Sequence, residues 1–128
     1  MKKNILIIDD DQDLVRSMQV IIGNENYNVN SAGNGKEGYV EIKKEKPDLL
    51  LLDIMMDSDL EGYNLLHQLK RDPLYKTMPV ILFTGMLDEM KVNFADGADD
   101  PELLPNVYFQ HKPVDPLELL EKIDEILR

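Results

Sequence analysis

The chain has no cysteine and no long hydrophobic run. The absence of cysteine excludes disulfide bonds and thiolate metal sites, and it fits a reducing compartment. No apolar stretch approaches the roughly 18 residues that a membrane-spanning helix needs. The first apolar run, Ile5–Ile8, is interrupted at once by Asp9, Asp10 and Asp11, so it does not form a signal peptide. We therefore expect a soluble, cytoplasmic protein with no membrane segment.

Basic residues are scarce relative to acidic ones. Lys and Arg total 14 against 25 Asp and Glu, which gives a formal net charge of −11. Direct nucleic-acid binding needs a basic face that replaces counterions, so this balance argues against it. Most of the negative charge favours solubility, and part of it would attract divalent cations to an acidic pocket. At 128 residues the chain has the size of one domain, which we assign to residues 1–128.

Strand-like apolar runs alternate with helical patterns along the chain, which is typical of an α/β fold with a parallel sheet. The runs are continuously apolar, as in strands that helices cover on both faces. The predicted strands are Ile5–Ile8, Asn26–Ser31, Asp48–Asp53, Val80–Thr84 and Val107–Phe109. The predicted helices run from about Asp11 to Asn24, from the turn at Gly33–Gly35 to about Lys46, and over about Glu61–Arg71, Asp88–Asp96 and the segment from Pro116. Five such pairs predict a doubly wound sheet.

The start of the last helix is the clearest boundary in the sequence. Asp115 is a favourable N-cap, Pro116 occupies the first helical position, and Glu118 completes a capping box. We interpret Asp11 in the same way, as the cap of the first helix rather than a functional residue.

Polar residues stand at the carboxyl ends of four predicted strands. Asp9 and Asp10 follow the first strand, Asp53 and Thr84 end two others, and Lys112 follows the last. In a doubly wound sheet these ends meet in one crevice, where ligands bind. A carboxylate such as Asp53 can attack phosphorus, with Mg²⁺ held beside it by Asp9 and Asp10. Because Lys112 and the Thr84 hydroxyl would contact phosphoryl oxygens, the pattern predicts a phosphoryl-transfer site.

Four segments carry a resemblance to a known family, which covers essentially the whole chain. They read ILIIDDD, PDLLLLDIMM, RDPLYKTMPVILFTG and HKPVDPLELLEKI, in that order. Together they resemble the receiver domain of two-component response regulators. The resemblance implies a flavodoxin-like, three-layer α/β/α fold with a five-stranded parallel sheet in the strand order 2-1-3-4-5. It also implies a signalling phosphoprotein and not an ordinary enzyme, since such domains catalyse only their own phosphorylation and dephosphorylation.

The same resemblance assigns the acceptor and the metal ligands. Asp53 matches the phosphoacceptor of the family, which becomes an aspartyl phosphate. Asp10 matches the direct Mg²⁺ ligand, and Asp9 matches the acidic neighbour that binds the metal largely through water. Met55 matches the position whose backbone carbonyl completes the metal site.

Further residues match the parts that bind and read the phosphoryl group. Thr84 and Lys112 match the phosphate-binding pair, and Pro113 is expected to follow a cis peptide bond. The resemblance implies that Thr84 turns inward after phosphorylation and that an aromatic residue, here Phe109, follows it. This switch would alter the face formed by the fourth helix, the fifth strand and the last helix, which partners recognise.

The implied partners are proteins. A sensor histidine kinase or a histidine phosphotransfer protein would donate the phosphoryl group, and an unknown output protein would bind the switched face. We expect neither direct nucleic-acid binding nor membrane binding, and we expect a monomer or a weak dimer.

Two loops depart from the family pattern. Asp57 stands where the family usually has proline, and Gly62 falls one position late, which indicates one inserted residue after Asp53. The segment Pro101–Asn106 is a second apparent insertion, directly before the fifth strand. We expect the first loop to be a solvated acidic segment and the second to be a tolerated surface insertion.

Two methionines and two histidines complete the candidates. Met55 and Met86 stand two residues beyond the acceptor and the hydroxyl, where the resemblance implies that side chains influence the attack of water on the phosphoryl group. Two apolar residues there indicate either slow hydrolysis of the acyl phosphate or a packing role in the core or at its rim. His67 and His111 match no site of the family. We place His67 on the third helix and His111 in the loop after the fifth strand, and we expect neither to act as a ligand or a base.

Two other functions stay open. A degenerate receiver would serve only as a protein-binding module, and its output would not depend on Asp53. A phosphatase of the haloacid dehalogenase kind would use Asp9 as the nucleophile of the Asp9–Asp11 segment, which leaves Asp53 without a role.

Overall fold

The computed structural model describes residues 2–23, 26–54, 61–84 and 105–128, and these residues form a single parallel sheet with helices. The strands are β1 (Lys3–Ile8), β2 (Tyr27–Ala32), β3 (Leu49–Asp53), β4 (Val80–Thr84) and β5 (Val107–His111). They are hydrogen-bonded in the order β2-β1-β3-β4-β5, and each neighbouring pair is parallel. The predicted doubly wound, flavodoxin-like topology is therefore confirmed.

Helices cover both faces of this sheet and give three layers. They are α1 (Gln12–Ile22), α2 (Gly35–Lys44), α3 (Glu61–Arg71) and α4 (Pro116–Leu127). The residues that α1 and α4 bury on one face are Val15, Met18, Ile22, Leu119 and Ile123. The residues that α2 and α3 bury on the other face are Ile42, Leu65, Leu66 and Leu69. This arrangement explains why the central strands are apolar at successive positions.

The central strands are the most deeply buried part of the sheet. Leu49–Leu52 of β3 and Val80–Phe83 of β4 are all 0% exposed. By contrast, the edge strands β2 and β5 mix buried, partly buried and exposed residues. The carboxyl ends of the central strands are thus held by a packed core on both faces.

Three helices have side-chain caps at their N-termini. Asp11 Oδ1 accepts a hydrogen bond from the Leu14 amide at 3.1 Å, and Asn34 Oδ1 accepts one from the Glu37 amide at 2.8 Å. Asp115 Oδ1 caps α4 by accepting from the amides of the following turn. The predicted caps at Asp11 and Asp115 are confirmed, because both residues satisfy amides that have no partner within the helix.

Some predicted boundaries were wrong by one to a few residues. α1 ends at Ile22 and not at Asn24, and α2 ends at Lys44 and not at Lys46. Gly35 was expected in a turn but is the first residue of α2, because Asn34 caps the helix there. The bounds of α3 and β4 agree with the sequence. The helix predicted at 88–96 lies outside the described residues.

Two polar contacts tie separate elements together. Lys70 of α3 is 3% exposed, and its ammonium donates hydrogen bonds to the carbonyls of Lys76 at 3.0 Å and Met78 at 2.6 Å. Burial lowers the pKa of Lys70 to about 8. The Tyr27 hydroxyl of β2 donates to a carboxylate oxygen of Asp124 on α4, and burial together with this bond raises the pKa of Tyr27 to about 12.

The turn before β5 holds the start of that strand in register. Asn106 has φ of 60°, and its side-chain amide donates to the Thr77 carbonyl at 2.7 Å. The Asn106 carbonyl accepts from the Val80 amide at 3.0 Å. Residues 101–104 of the predicted insertion lie outside the described residues. Among the helices of the described ranges, none combines the length and the hydropathy of a membrane-spanning segment.

Candidate functional site

The candidate site lies at the carboxyl ends of the strands, beside the point where the strand order reverses. β1 and β3 are neighbours, while their crossovers lead to opposite sides of the sheet. Asp9 follows β1, Asp53 ends β3 and Thr84 ends β4, so neighbouring strands bring these residues to one edge. The topology therefore produces the convergence that the sequence predicted.

Three carboxylates form a cluster at this edge. Asp9, Asp10 and Asp53 each offer an oxygen atom, and these atoms all lie within 4.8 Å of one another. Asp9 is 1% exposed and Asp53 is 2% exposed, whereas Asp10 is exposed. Such close anionic groups repel one another unless a cation lies nearby, so the cluster has the character of a cation site.

The surroundings of the Asp9 carboxylate show whether a divalent cation would fit among the three carboxylates. Asp9 Oδ1 accepts a hydrogen bond from the Asp11 amide at 2.9 Å, which fixes the carboxylate. Its other oxygen, Oδ2, is buried and has no hydrogen-bond partner among the residues that the structure describes. Burial raises the pKa of Asp9 to about 6; the Asp11 amide opposes this shift and the charge of Asp53 adds to it. A hard cation such as Mg²⁺, which prefers oxygen ligands, would satisfy this oxygen and neutralise the cluster.

Lys112 supplies the positive charge of the site. Its ammonium lies 2.9 Å from Asp53 Oδ1, and the Lys112 side chain is 32% exposed against 3% for Asp53. The Lys112 amide donates to the Thr84 carbonyl at 2.8 Å, so β4 fixes the backbone that carries the ammonium. The peptide bond between Lys112 and Pro113 is cis, as the resemblance implied.

Thr84 is fully buried and contacts a histidine. Its side-chain oxygen Oγ1 lies 3.4 Å from Nδ1 of His111. The placement of His111 in a loop was wrong, because His111 is the last residue of β5 and pairs in register with Thr84. The contact follows from the register between β4 and β5, which places His111 beside the end of β4.

Phe109 lies on β5, partly buried against the core that α2 and α3 cover. Its carbonyl oxygen accepts a hydrogen bond from the ammonium of Lys122 on α4. The expected aromatic residue therefore lies on the strand next to β4, where it pairs with Leu82, and a hydrogen bond connects its backbone to α4.

The second residue of α3 is Gly62, and the backbone of β3 lies too close to it for any side chain. A Cβ added to Gly62 would lie 1.8 Å from the carbonyl oxygen of Asp53 and 3.0 Å from Ile54 Cα. The first turn of α3 thus lies directly on the end of β3, where a side chain has no room. Glu61 beside it accepts a hydrogen bond from the Gly35 amide at 2.6 Å and so connects the starts of α2 and α3.

Several expectations concern residues outside the described ranges. They are the Met55 carbonyl, the acidic loop with Asp57, the residue Met86 and the predicted fourth helix. His67 lies on α3, as expected, where its ring contacts the ring of Tyr63 at a centroid distance of 4.4 Å.

The described geometry suits attack by a carboxylate on a phosphoryl group. Asp53 is rigid because it ends a buried strand, and it stands between an acidic cation site and an ammonium. These opposite charges would offset the repulsion between a carboxylate and an incoming phosphoryl anion.

Comparison with known proteins finds a matching family model and similar sequences. A family model described as the response regulator receiver domain matches residues 5–124. The alkaline phosphatase synthesis transcriptional regulatory protein PhoP of Bacillus subtilis is 31% identical over 130 residues, which cover 100% of this chain and 50% of that protein. The response regulator GtcR of Aneurinibacillus migulanus is 32% identical over 129 residues, which cover 100% of this chain and 49% of that protein. The chain spans about half the length of these curated relatives.

Solved structures show the same fold. A CheY-like response regulator receiver domain protein from Methanospirillum hungatei matches with a TM-score of 0.79 and 34% identity, covering 99% of this chain and 94% of that chain. A putative response regulator from Chloroflexus aurantiacus matches with a TM-score of 0.80 and 27% identity, covering 99% of this chain and 98% of that chain.

Proposed function

Because this chain belongs to the family of response regulator receiver domains, which act in two-component systems, we propose that Asp53 accepts a phosphoryl group from a histidine kinase or a histidine phosphotransfer protein. Residues 1–128 would form one such receiver domain. Its role would be to carry a signal in the cytoplasm as an aspartyl phosphate, without acting on a separate substrate.

One observation carries this proposal. The buried Asp53 carboxylate lies 2.9 Å from the Lys112 ammonium, and oxygens of Asp9 and Asp10 lie within 4.8 Å of it and of each other. A purely structural ion pair would need only Asp53 and Lys112. The two additional carboxylates add repulsion in the absence of a cation, so they favour a role in binding one.

Asp9, Asp10 and Asp53, together with the Met55 carbonyl, would hold Mg²⁺. When bound, the ion supplies positive charge that neutralises the carboxylates and the phosphoryl oxygens. The donor set fits because it consists of oxygen atoms, and because Asp9 Oδ2 is buried without a hydrogen-bond partner among the described residues.

The chain's own residues would carry out the transfer as follows. A carboxylate oxygen of Asp53 attacks the phosphorus of a phosphohistidine, the P–N bond breaks, and the imidazole leaves with the electron pair. Lys112 pairs with Asp53 before the reaction and would then bind a phosphoryl oxygen of the acyl phosphate. Thr84 would donate its hydroxyl to another oxygen. Attack by water on phosphorus would return the free carboxylate and inorganic phosphate.

The output would follow from Thr84 and Phe109. Movement of Thr84 towards the phosphoryl group would allow Phe109 to change position on β5, next to the α4 helix that holds its carbonyl. We propose that an output protein recognises this surface. Among the relatives named above, PhoP is a transcriptional regulatory protein about twice as long as this chain, so a further segment and a separate partner are the two candidate outputs.

Intact-mass spectrometry with a small phosphodonor tests the acceptor. We expect phosphoramidate with Mg²⁺ to add one phosphoryl group to the wild type and to Asp13→Asn, which alters an exposed carboxylate of α1. Asp53→Asn should not be modified. Removal of Mg²⁺ with a chelator should abolish the modification, and beryllofluoride should bind only with Mg²⁺ and Asp53 present.

Two other outcomes would contradict the proposal. Modification that survives in Asp53→Asn but disappears in Asp9→Asn would support the phosphatase with Asp9 as nucleophile. A protein that takes up no phosphoryl group and binds no beryllofluoride would support the degenerate receiver.

A further inference from the structure

The contact between Thr84 and His111 connects the buried site to the protein surface. Thr84 is 0% exposed, His111 is exposed, and their Oγ1 and Nδ1 atoms are 3.4 Å apart. Both residues end their strands and pair in register on β4 and β5. The imidazole therefore stands at the boundary between the buried hydroxyl and solvent.

Strand alternation also relates His111 to Phe109. Residues two apart on a strand point to the same face, so Phe109 and His111 share one face of β5. Phe109 packs against the core cluster that contains Val80 and Leu82, and by strand alternation Thr84 lies on the same face of β4 as these two residues. The hydroxyl, the aromatic ring and the imidazole thus occupy one face of two adjacent strands.

We propose that His111 is a positioning residue that holds the Thr84 hydroxyl away from the phosphoryl group. This inference rests on the proposed function of Asp53. The restraint requires the neutral imidazole that carries its proton on Nε2, because only then does Nδ1 accept a hydrogen bond from the Thr84 hydroxyl. Because a hydroxyl has only one proton to donate, Thr84 must release His111 before it donates to a phosphoryl oxygen.

The restraint lowers the affinity of the site for a phosphoryl group. A hydrogen bond between neutral groups changes an equilibrium constant by about 2- to 10-fold, and the long distance here favours the lower part of that range. Removal of the imidazole acceptor should therefore raise the affinity for a phosphoryl mimic by about 2- to 5-fold.

Paired substitutions at His111 test the restraint. Beryllofluoride with saturating Mg²⁺ serves as the mimic, and calorimetry gives its affinity. His111→Phe keeps a ring but has no acceptor, and it should bind about 2- to 5-fold more tightly than the wild type. His111→Asn places its carbonyl oxygen near the position of Nδ1, so it should restore the wild-type affinity. In the Thr84→Val background the two His111 variants should have equal affinity, because the hydroxyl is gone.

Nuclear magnetic resonance gives a second measurement that needs no phosphoryl group. The chain has only two histidines, so His67→Gln assigns the imidazole nitrogen resonances of His111. Thr84→Val should shift the ¹⁵Nδ1 resonance of His111 and leave that of His67 unchanged. This readout applies even if His111→Phe does not fold.

The outcomes separate this inference from the function on which it rests. Absence of beryllofluoride binding to the wild type would overturn the proposed function. Normal binding by the wild type with weaker or unchanged binding by His111→Phe would overturn the restraint alone. An unchanged His111 ¹⁵Nδ1 resonance in Thr84→Val would also overturn it, whatever the binding results.

Discussion

Replacing Gly62 by alanine tests how closely α3 approaches β3, the strand that ends in Asp53. The added Cβ would lie 1.8 Å from the carbonyl oxygen of Asp53, and Cβ atoms essentially never approach other atoms within 3.0 Å. The first turn of α3 and the end of β3 must therefore separate by about 1 Å. No side-chain rotation relieves this contact, because the nearest atoms belong to the backbone.

Two effects of opposite sign decide the result. Alanine is the better helix former, and on that ground alone the substitution stabilises by about 0.5–1 kcal/mol. Overpacking costs about 1–3 kcal/mol, and a backbone contact places the cost near the upper end. We expect a net loss of about 2 kcal/mol in the free energy of unfolding. For a domain of this size that corresponds to a fall of roughly 6–10 °C in Tm.

Urea unfolding followed by circular dichroism measures this loss, and Gly33→Ala is the matched control. A Cβ on Gly33 would meet Gln12 Nε2 at 3.5 Å and Glu37 Oε2 at 3.8 Å, which are ordinary contacts. The control should remain within about 0.5 kcal/mol of the wild type. A Gly62→Ala protein as stable as the wild type would refute the close approach.

The same variant should also lose function, because it displaces the backbone of Asp53. A misplacement of about 1 Å in a reacting group costs on the order of 100-fold in rate. Phosphorylation by phosphoramidate should therefore slow by about this factor in Gly62→Ala and remain unchanged in Gly33→Ala. Equal rates in both variants would show that the site tolerates the displacement.

Three further predictions concern buried ionisable groups. Asp9→Asn should stabilise the Mg²⁺-free protein at pH 7 by about 3 kcal/mol, because burial raises the pKa of Asp9 from 3.8 to about 6. The folded state binds the proton of the Asp9 carboxyl more tightly than the unfolded state, so the wild type loses stability as the pH rises from about 4 to about 6. The stability difference between Asp9→Asn and the wild type, measured by urea unfolding, should therefore vanish near pH 4. Burial lowers the pKa of Lys70 to about 8, so the folded wild type loses this proton at a lower pH than the unfolded chain and becomes more stable as the pH rises from about 8 to 10. Lys70→Met should not show this rise, and a stability difference between the two proteins that is the same at every pH would contradict the prediction. Tyr27→Phe should cost about 1 kcal/mol through loss of the bond to Asp124, whereas Tyr108→Phe, at an exposed tyrosine, should cost under about 0.5 kcal/mol in the same assay.

The sequence predicted the sheet because its central strands are buried on both faces and therefore apolar at every position. Leu49–Leu52 shows this directly, since all four residues are fully buried. Convergence of Asp9, Asp53 and Lys112 was also predictable, because parallel strands in a doubly wound sheet have their carboxyl ends at one edge.

The sequence did not predict the contact of His111 with Thr84, because that contact depends on the register between β4 and β5. Register is set by packing over the whole strand and by the turn at Asn106, and neither has a local pattern. The role of Gly62 was missed for a related reason. A glycine in a helical pattern does not show which backbone lies against it, and only the packing of α3 on β3 reveals that.

The position of β5 at the edge of the sheet affects how readily one side of the site opens to solvent. Among the described strands, β5 is bonded only to β4, whereas β1 and β3 each lie between two neighbours. Amide protons in a packed core exchange with solvent only on global unfolding, while those of a less buried edge exchange through local fraying. Asp9 follows the central strand β1 and Asp53 ends the central strand β3, so they should stay buried for as long as the domain remains folded. His111 ends the edge strand β5 and Lys112 follows it directly, so local opening of this edge can expose the cationic side of the site while Asp9 and Asp53 stay buried.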